Sequence, residues 1–230
     1  MPFHVQRVLV VAAHPDDEVL GCGATIAKLV QAGVEVFCCI LGEGPLSRYA
    51  DRARGSQEKD VAHVNTFTKN AAQILGTKKT FTFHFPDNQF DSVPLLQMVR
   101  DIERVKQEVQ PEVIFTHSVA DLNVDHVQTH RAVVTACRPM EGDRLHGLYA
   151  FEIASSTEWN IPQTFSPTLF VDVHKTLDAK IEAMKCYETE LRPFPHPRSE
   201  EGLRAMATVR GATAGYQAAE AFETLRIRQG

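Results

Sequence analysis

Apolar and polar positions along this chain follow two rhythms, one of strands and one of helices. Arg7–Ala12 is an almost continuous apolar run, the pattern of a strand buried on both faces. Residues 17–32 then place Leu20, Ala24, Ala27 and Val30 three or four positions apart, a helical stripe that stops at Gly33. A second apolar run over 34–41 predicts a strand, with Gly42 and Gly44 opening a loop. The spacing predicts a helix over 54–75 that stops at Gly76, and alternating Thr and Phe in Lys79–Phe85 predict a third strand. Leu95–Val109 is an amphipathic helix by the same reading, 113–116 a short buried strand, and 127–137 a further helix.

Strand following helix in this order requires crossover connections, and so a parallel sheet with helices on both faces. The expected fold class is therefore α/β, a Rossmann-like, mostly parallel sheet. The last third is less regular. Strands are expected at 149–154 and 168–173, a helix at 177–191, a proline-rich loop at 192–198, and a helical stretch at 202–222 interrupted at Arg210-Gly211. This irregular part is expected to cover the site. No linker, repeat or low-complexity tract divides the chain, so one domain over residues 1–230 is expected.

Composition changes this picture little. Hydrophobic content of 43%, charged content of 23% and a net charge of −5 describe an ordinary globular protein without a basic block for nucleic acid. Five cysteines, an odd number without metal-type spacing, point to a reducing compartment. With no secretory leader and no apolar stretch of membrane-spanning length, a cytoplasmic protein is expected.

The chemistry concentrates in two clusters. Ala13-His14-Pro15-Asp16-Asp17-Glu18 follows the first strand directly, where α/β sheets collect their ligands. Three carboxylates and an imidazole this close repel one another unless positive charge sits among them, and a divalent metal supplies it. Acids also favour a helix N-terminus, and the same residues can serve both ends. A second cluster, running from Thr116 and His117 through Asp121, Asn123, Asp125 and His126 to His130, follows the fourth strand. His126 and His130 share a helical face at i, i+4. Strands one and four end on the same edge of a parallel sheet, so the clusters can converge. His14, Asp17 and one later histidine would form a two-histidine, one-carboxylate site for Zn2+, leaving Asp16 as general base. Iron(II), cobalt or manganese would suit the same donors. No G-x-G-x-x-G follows the first strand, which argues against a dinucleotide enzyme.

On Ala13–Glu18 and on Asn123-Val124-Asp125-His126, the sequence resembles the LmbE/PIG-L family of zinc-dependent N-deacetylases. Residues 85–88, 121–123, 155–159 and 195–199 resemble a bacterial branch of it linked to surface-sugar biosynthesis. The resemblance implies His14, Asp17 and His126 as metal ligands, Asp16 as general base, and Asp125 as a group orienting an imidazole. It also implies a catalytic histidine where this chain has Asn123, which can donate a hydrogen bond but cannot relay a proton. His117 is then the first candidate proton donor. His130 is the second, and also the alternative third ligand; His196 follows. Candidate substrate contacts are Arg54 (with Arg48 and Arg52 in the same loop), Asp87, Asn88, Asn123, His130, Arg198 and Arg210. Trp159 is a stacking platform or a core residue. The implied reaction is removal of an N-acyl group, acetyl first, from an amino sugar, free or linked to a nucleotide or lipid. The alternatives are an amidase for a thiol-sugar conjugate or other small amide, and a metal-dependent sugar-binding protein without catalysis. The resemblance further implies a homo-oligomer, a trimer or hexamer.

Overall fold

The computed structural model describes residues 5–44 and 58–229, the side chains of 58–64 excepted. Its elements are β1 (Arg7–Ala12), α1 (Asp17–Gln31), β2 (Glu35–Gly42), α2 (Glu58–Leu75), β3 (Lys79–Phe85), α3 (Leu95–Val109), β4 (Val113–His117), α4 (Val124–Ala136), β5 (Gly147–Phe151), β6 (Leu169–Asp172), α5 (Leu177–Lys185), α6 (Glu200–Ala214) and β7 (Ala219–Ile227). One seven-stranded sheet runs in the order β3-β2-β1-β4-β5-β7-β6. β3, β2, β1, β4 and β5 are mutually parallel, and β7 is antiparallel to both β5 and β6. The expected mostly parallel α/β sheet is what forms.

The apolar runs have the reason the sequence assigns them. Successive side chains of a strand point to opposite faces, and both faces are covered. Val8, Val10, Val36, Cys38, Val113 and Phe115 pack beneath α1, α2 and α5, while Leu9, Val11, Cys39, Leu41 and Ile114 pack beneath α3 and α4. Among the described residues no helix is long and apolar enough to cross a membrane.

The helix α1 carries a break. Cys22 takes φ −150° and ψ 24°, outside the helical region, and divides α1 in two. The polar groups freed there are met by a buried ion pair. Lys180 Nζ on α5 donates to Leu20 O and to Glu220 Oε1 on β7, both at 2.7 Å. Glu220 in turn accepts the N–H groups of Ala24 (3.2 Å) and Thr25 (2.7 Å). The pair thus caps both halves of the broken helix from inside the protein.

The last third departs from expectation in two places. The helical stretch placed over 202–222 is α6 followed by a strand. α6 runs unbroken through Arg210-Gly211 to Ala214, and Gly215 at φ 78° ends it in the left-handed region. A Cβ on Gly211 would lie 2.8 Å from the Ala218 backbone, so the glycine lets the chain fold back on the helix. β7 then fills the gap between β5 and β6; its Ala and Glu residues favour helix intrinsically, and pairing on both sides overrides them. The helix expected over 177–191 ends at Lys185, where Cys186 and Tyr187 N–H turn to carbonyls three residues back, at 3.2 and 3.0 Å. The start expected at Arg54 lies outside the described residues.

Candidate metal centre

The end of β1 is shaped to present three consecutive polar residues. Asp16 stands at φ 113°, a conformation costly for a residue with a side chain and characteristic of functional sites. Its N–H donates to Glu18 Oε2 at 3.1 Å, and the Tyr187 hydroxyl donates to Glu18 Oε1 at 2.6 Å. Burial lifts the Glu18 carboxyl to about 7 against the opposing Tyr187 bond. Gly42 of β2 donates its N–H to Ala13 O at 2.7 Å, and a Cβ there would lie 2.9 Å from that oxygen. Only glycine permits this approach.

Asp17, fully buried, gathers the imidazoles. Its Oδ2 lies 3.2 Å from His14 Nδ1, 3.2 Å from His126 Nε2 and 3.5 Å from His117 Nε2, and accepts the His14 N–H at 2.8 Å. Each of the two nearer imidazoles has a carboxylate at its far nitrogen. His14 Nε2 lies 2.9 Å from Asp125 Oδ2 and 3.2 Å from Asp87 Oδ1. Asp125 is itself pinned by the N–H groups of Asn88 (2.6 Å) and Phe90 (2.9 Å). His126 Nδ1 lies 3.0 Å from Asp121 Oδ1, off the line of a good hydrogen bond. Asp121 is held by the Ser156 and Thr157 hydroxyls, the latter at 2.6 Å, and by the Asn123 N–H at 2.8 Å.

These donors fit a divalent metal. Single atoms of His14, Asp17 and His126 lie within 4.8 Å of one another, and Asp17 Oδ1 is buried with no hydrogen-bond partner. Electrostatics point the same way. Burial pulls the His126 imidazole down, but Asp17 and Asp121 outweigh it and lift the group to about 9. Burial pushes Asp17 up, yet His126 and His117 hold it well below the usual carboxylate range. The cluster requires positive charge among its carboxylates, which protons or a dication can meet. A carboxylate behind each imidazole is the arrangement that orients metal-binding histidines.

A polar cavity of about 80 Å³ opens here, lined by His14, Asp16, Asp17, Asp87, Asn88, Asn123, His126, Glu190 and Arg198. Burial pushes the Asp16 carboxyl well above its ordinary range, although Arg198 opposes the shift. Arg198 Nη1 donates to Asp16 Oδ2 at 2.9 Å and to Glu190 Oε2 at 3.0 Å, and its Nε donates to Ser155 Oγ at 2.8 Å. The last third therefore does reach over the site through Arg198, whose guanidinium anchors Asp16 from within the cavity wall. Asn123 caps α4, its Oδ1 accepting the Asp125 N–H at 2.8 Å, while its Nδ2 lies 3.5 Å from Asn88 Oδ1.

Other candidates fall elsewhere. His117 is wholly buried behind the cavity, its Nε2 accepting the Ala13 N–H at 2.9 Å and its ring 4.1 Å from that of His126. Burial holds its pKa well below that of free imidazole. It does not line the cavity. His130 is also outside the cavity lining: its Nδ1 donates to His117 O at 2.8 Å, and the histidine grouped with His14 and Asp17 is His126. His196 Nδ1 accepts the Arg198 N–H at 3.1 Å, outside the cavity lining. Arg210 is taken by Glu152, through bonds of 2.7 and 2.6 Å. Arg48, Arg52 and Arg54 lie outside the described residues. Glu190 and the Glu18–Tyr187 pair escaped the sequence reading. Glu190 sits where a helix was expected, and no local pattern marks it.

Comparison with known proteins places this geometry. The chain is 27% identical over 231 residues to the diacetylchitobiose deacetylase of Thermococcus kodakarensis, covering 95% of this chain and 83% of that protein. It is 27% identical over 244 residues to a 1D-myo-inositol 2-acetamido-2-deoxy-alpha-D-glucopyranoside deacetylase of Thermomonospora curvata, covering 81% of each. Among solved structures, N,N'-diacetylchitobiose deacetylase from Pyrococcus horikoshii superposes with a TM-score of 0.77 at 20% identity, over 96% of this chain and 84% of that one. The 4-carboxy-2-hydroxymuconate hydratase of Pseudomonas putida KT2440 superposes at 0.72 with 22% identity, over 98% of each. A deacetylase and a hydratase share this fold, so the fold alone does not select the reaction. A family model described as PIG-L, GlcNAc-PI de-N-acetylase, matches residues 9–137, which contain both polar clusters. That match takes in more than half of the chain, and the chain belongs to the PIG-L family.

Proposed function

We propose that this protein is a metal-dependent hydrolase that removes an acetyl group from the nitrogen of an amino sugar. The observation that carries the reading is Asp17 flanked by His14 and His126, each imidazole backed by a carboxylate, with Asp16 beside them in the same cavity. His14, Asp17 and His126 would hold the cation, with zinc and iron(II) both suited to the donors. A divalent cation bound there supplies Lewis acidity toward a carbonyl oxygen and a nucleophilic water at neutral pH.

The chain's own groups supply the rest. Asp16 lines the cavity with its Oδ2 fixed by Arg198, so its position is set before substrate arrives. It takes a proton from the attacking water and returns it to the departing amine nitrogen. Asn123, which lines the cavity, would donate from its Nδ2 to the carbonyl oxygen as negative charge develops. Asp125 and Asp121 keep the two imidazoles oriented. The curated relatives named above act on N-acetylated amino sugars, which supports that substrate class.

The test is release of free amine from N-acetylglucosamine, diacetylchitobiose and nucleotide-linked N-acetylglucosamine by zinc-loaded protein. Asp16→Asn should lower kcat by about 10²–10⁴ while bound metal, measured by elemental analysis, stays unchanged. Loss of metal in that variant would make Asp16 a ligand. Absence of amine from all three substrates would favour a sugar-binding protein without catalysis.

A further inference from the structure

The cavity at the metal centre is too small to enclose a substrate. Pockets that bury small ligands measure about 300–1,000 Å³, whereas among the described residues this one holds about 80 Å³. That accommodates the reacting amide. The sugar and whatever it is joined to must lie across the rim.

Outside the lining, on segments bonded to the residues that form it, the chain exposes an aromatic side chain that nothing in the fold requires to be exposed. Trp159, the chain's single tryptophan, is 48% exposed. It belongs to a short 3-10 turn, Thr157–Trp159, bolted to both sides of the cavity. On one side Ser156 and Thr157 clamp Asp121, which backs His126, and Asn160 Nδ2 donates to Ala120 O at 3.0 Å in the loop that leads to Asn123. On the other side the indole meets the His196 ring edge-on at 5.6 Å, and His196 Nδ1 accepts the N–H of Arg198, the residue that holds Asp16. The turn is fixed from inside as well, because Glu158 Oε1 accepts the Ser155 N–H at 2.6 Å. Ile161 and Phe194, on the same two segments, are more exposed still. A large apolar group kept in water by a rigid scaffold beside a reaction cavity fits recognition better than packing.

We infer that Trp159, supported by His196, is a stacking platform for a second ring joined to the reacting amino sugar. The ring needs only an apolar face, so a second sugar and an aromatic aglycone share the chemistry. This inference rests on the amino-sugar reading above and names the larger part of its substrate. Carbohydrate and aryl rings both present C–H or π faces that an indole covers with little loss of side-chain entropy.

Because Trp159 is the only tryptophan, intrinsic fluorescence reports on the platform without turnover. The initial emission of zinc-loaded protein should change saturably on mixing with diacetylchitobiose or benzyl N-acetylglucosaminide, and not with N-acetylglucosamine. A response to one two-ringed ligand alone identifies which ring the platform takes. In amine-release assays Trp159→Ala should lower kcat/KM about tenfold on that two-ringed substrate, through KM. On N-acetylglucosamine it should remain within about twofold, and Trp159→Phe should restore most of the loss. Amine release with a silent tryptophan, or an equal loss on one-ringed and two-ringed substrates, overturns the platform and leaves the deacetylase reading standing. A saturable emission change with no amine released keeps the platform and removes the deacetylase.

Discussion

The break in α1 makes the ion pair that fills it a sharp test of how this fold holds its site. Lys180→Met removes the partner of Glu220 and the donor to Leu20 O, both 2.7 Å bonds in a buried setting. Removing one member of a buried pair leaves the other charge uncompensated, at a cost of about 3–5 kcal/mol. For a chain of 150–250 residues each kcal/mol moves the midpoint by about 2–4 °C, so thermal unfolding should fall by roughly 6–20 °C. Lys180→Met combined with Glu220→Gln removes both charges and keeps an amide oxygen for the Thr25 N–H. The double variant should be no less stable than Lys180→Met alone, because the two changes share one interaction. Circular dichroism melts and urea titrations of the four proteins form the cycle. A midpoint within about 2 °C of wild type for Lys180→Met would refute the reasoning. So would a double variant that falls by the full sum of its singles, since the residues would then act independently.

Two further perturbations probe the same region. Gly21→Ala would place a Cβ 2.4 Å from Phe151 Cδ2, whose ring is fully buried, and should cost about 1–3 kcal/mol in urea unfolding. Gly23→Ala, with its nearest neighbours at 3.1 and 3.3 Å, should be better tolerated, and equal stability of the two variants would contradict this packing. Arg198→Met should move the acid limb of the kcat/KM profile to higher pH. Burial already raises the Asp16 carboxyl and Arg198 opposes it, so losing the guanidinium raises it further and delays formation of the base. A limb that stays in place or moves to lower pH would mean that Asp16 is not the titrating group.

The parts legible in the sequence were those set by periodicity and by chain order. Val8–Ala12 and the apolar residues of β2 and β4 announce strands covered on both faces, and crossover topology puts the ends of β1 and β4 on one sheet edge, while their direct pairing is visible only in the structure. His14, Asp16 and Asp17 stand out because they directly follow β1, and Asn123 and His126 because they open the helix that follows β4; the cavity lining brings the five together. What stayed hidden depends on long-range contact. Glu190 reaches the site from a segment of turns, and nothing local distinguishes it from a surface residue; Arg198 is a candidate in the sequence, but its bonds to Asp16 and Glu190 are legible only in the structure. β7 was hidden because Ala219, Glu220 and Ala221 carry helical propensity, while their role depends on strands distant in sequence. His117 misled in the opposite way: its position at a strand end is right, but the ring turns inward and its Nε2 is consumed by the Ala13 N–H.

That inward turn changes the proton accounting of the proposed reaction. With Asn123 in the place of a histidine, the amine needs a donor from among the remaining cavity groups. Asp125 already accepts two backbone N–H groups and faces His14, and Asp121 is committed to Ser156, Thr157, Asn123 and His126. His14 and His126 are the ligand candidates. Asp87 faces His14 and Glu190 holds Arg198, so among the described cavity residues Asp16 is left as the acid–base group with no ligand or orienting duty. Hydrolysis closes on one such group, since the proton it takes from water is the proton the amine nitrogen requires. The requirement on that group is an acid form stable enough to persist between the two steps, and a buried carboxyl raised above its ordinary range meets it. Asn123 is then free for a different pair of tasks. It holds the first turn of α4, and with it Asp125 and His126, in register, and it presents an amide donor to the cavity. An imidazole at that position could relay a proton, but it would lose the side-chain oxygen that caps the helix, at a cost of about 1 kcal/mol.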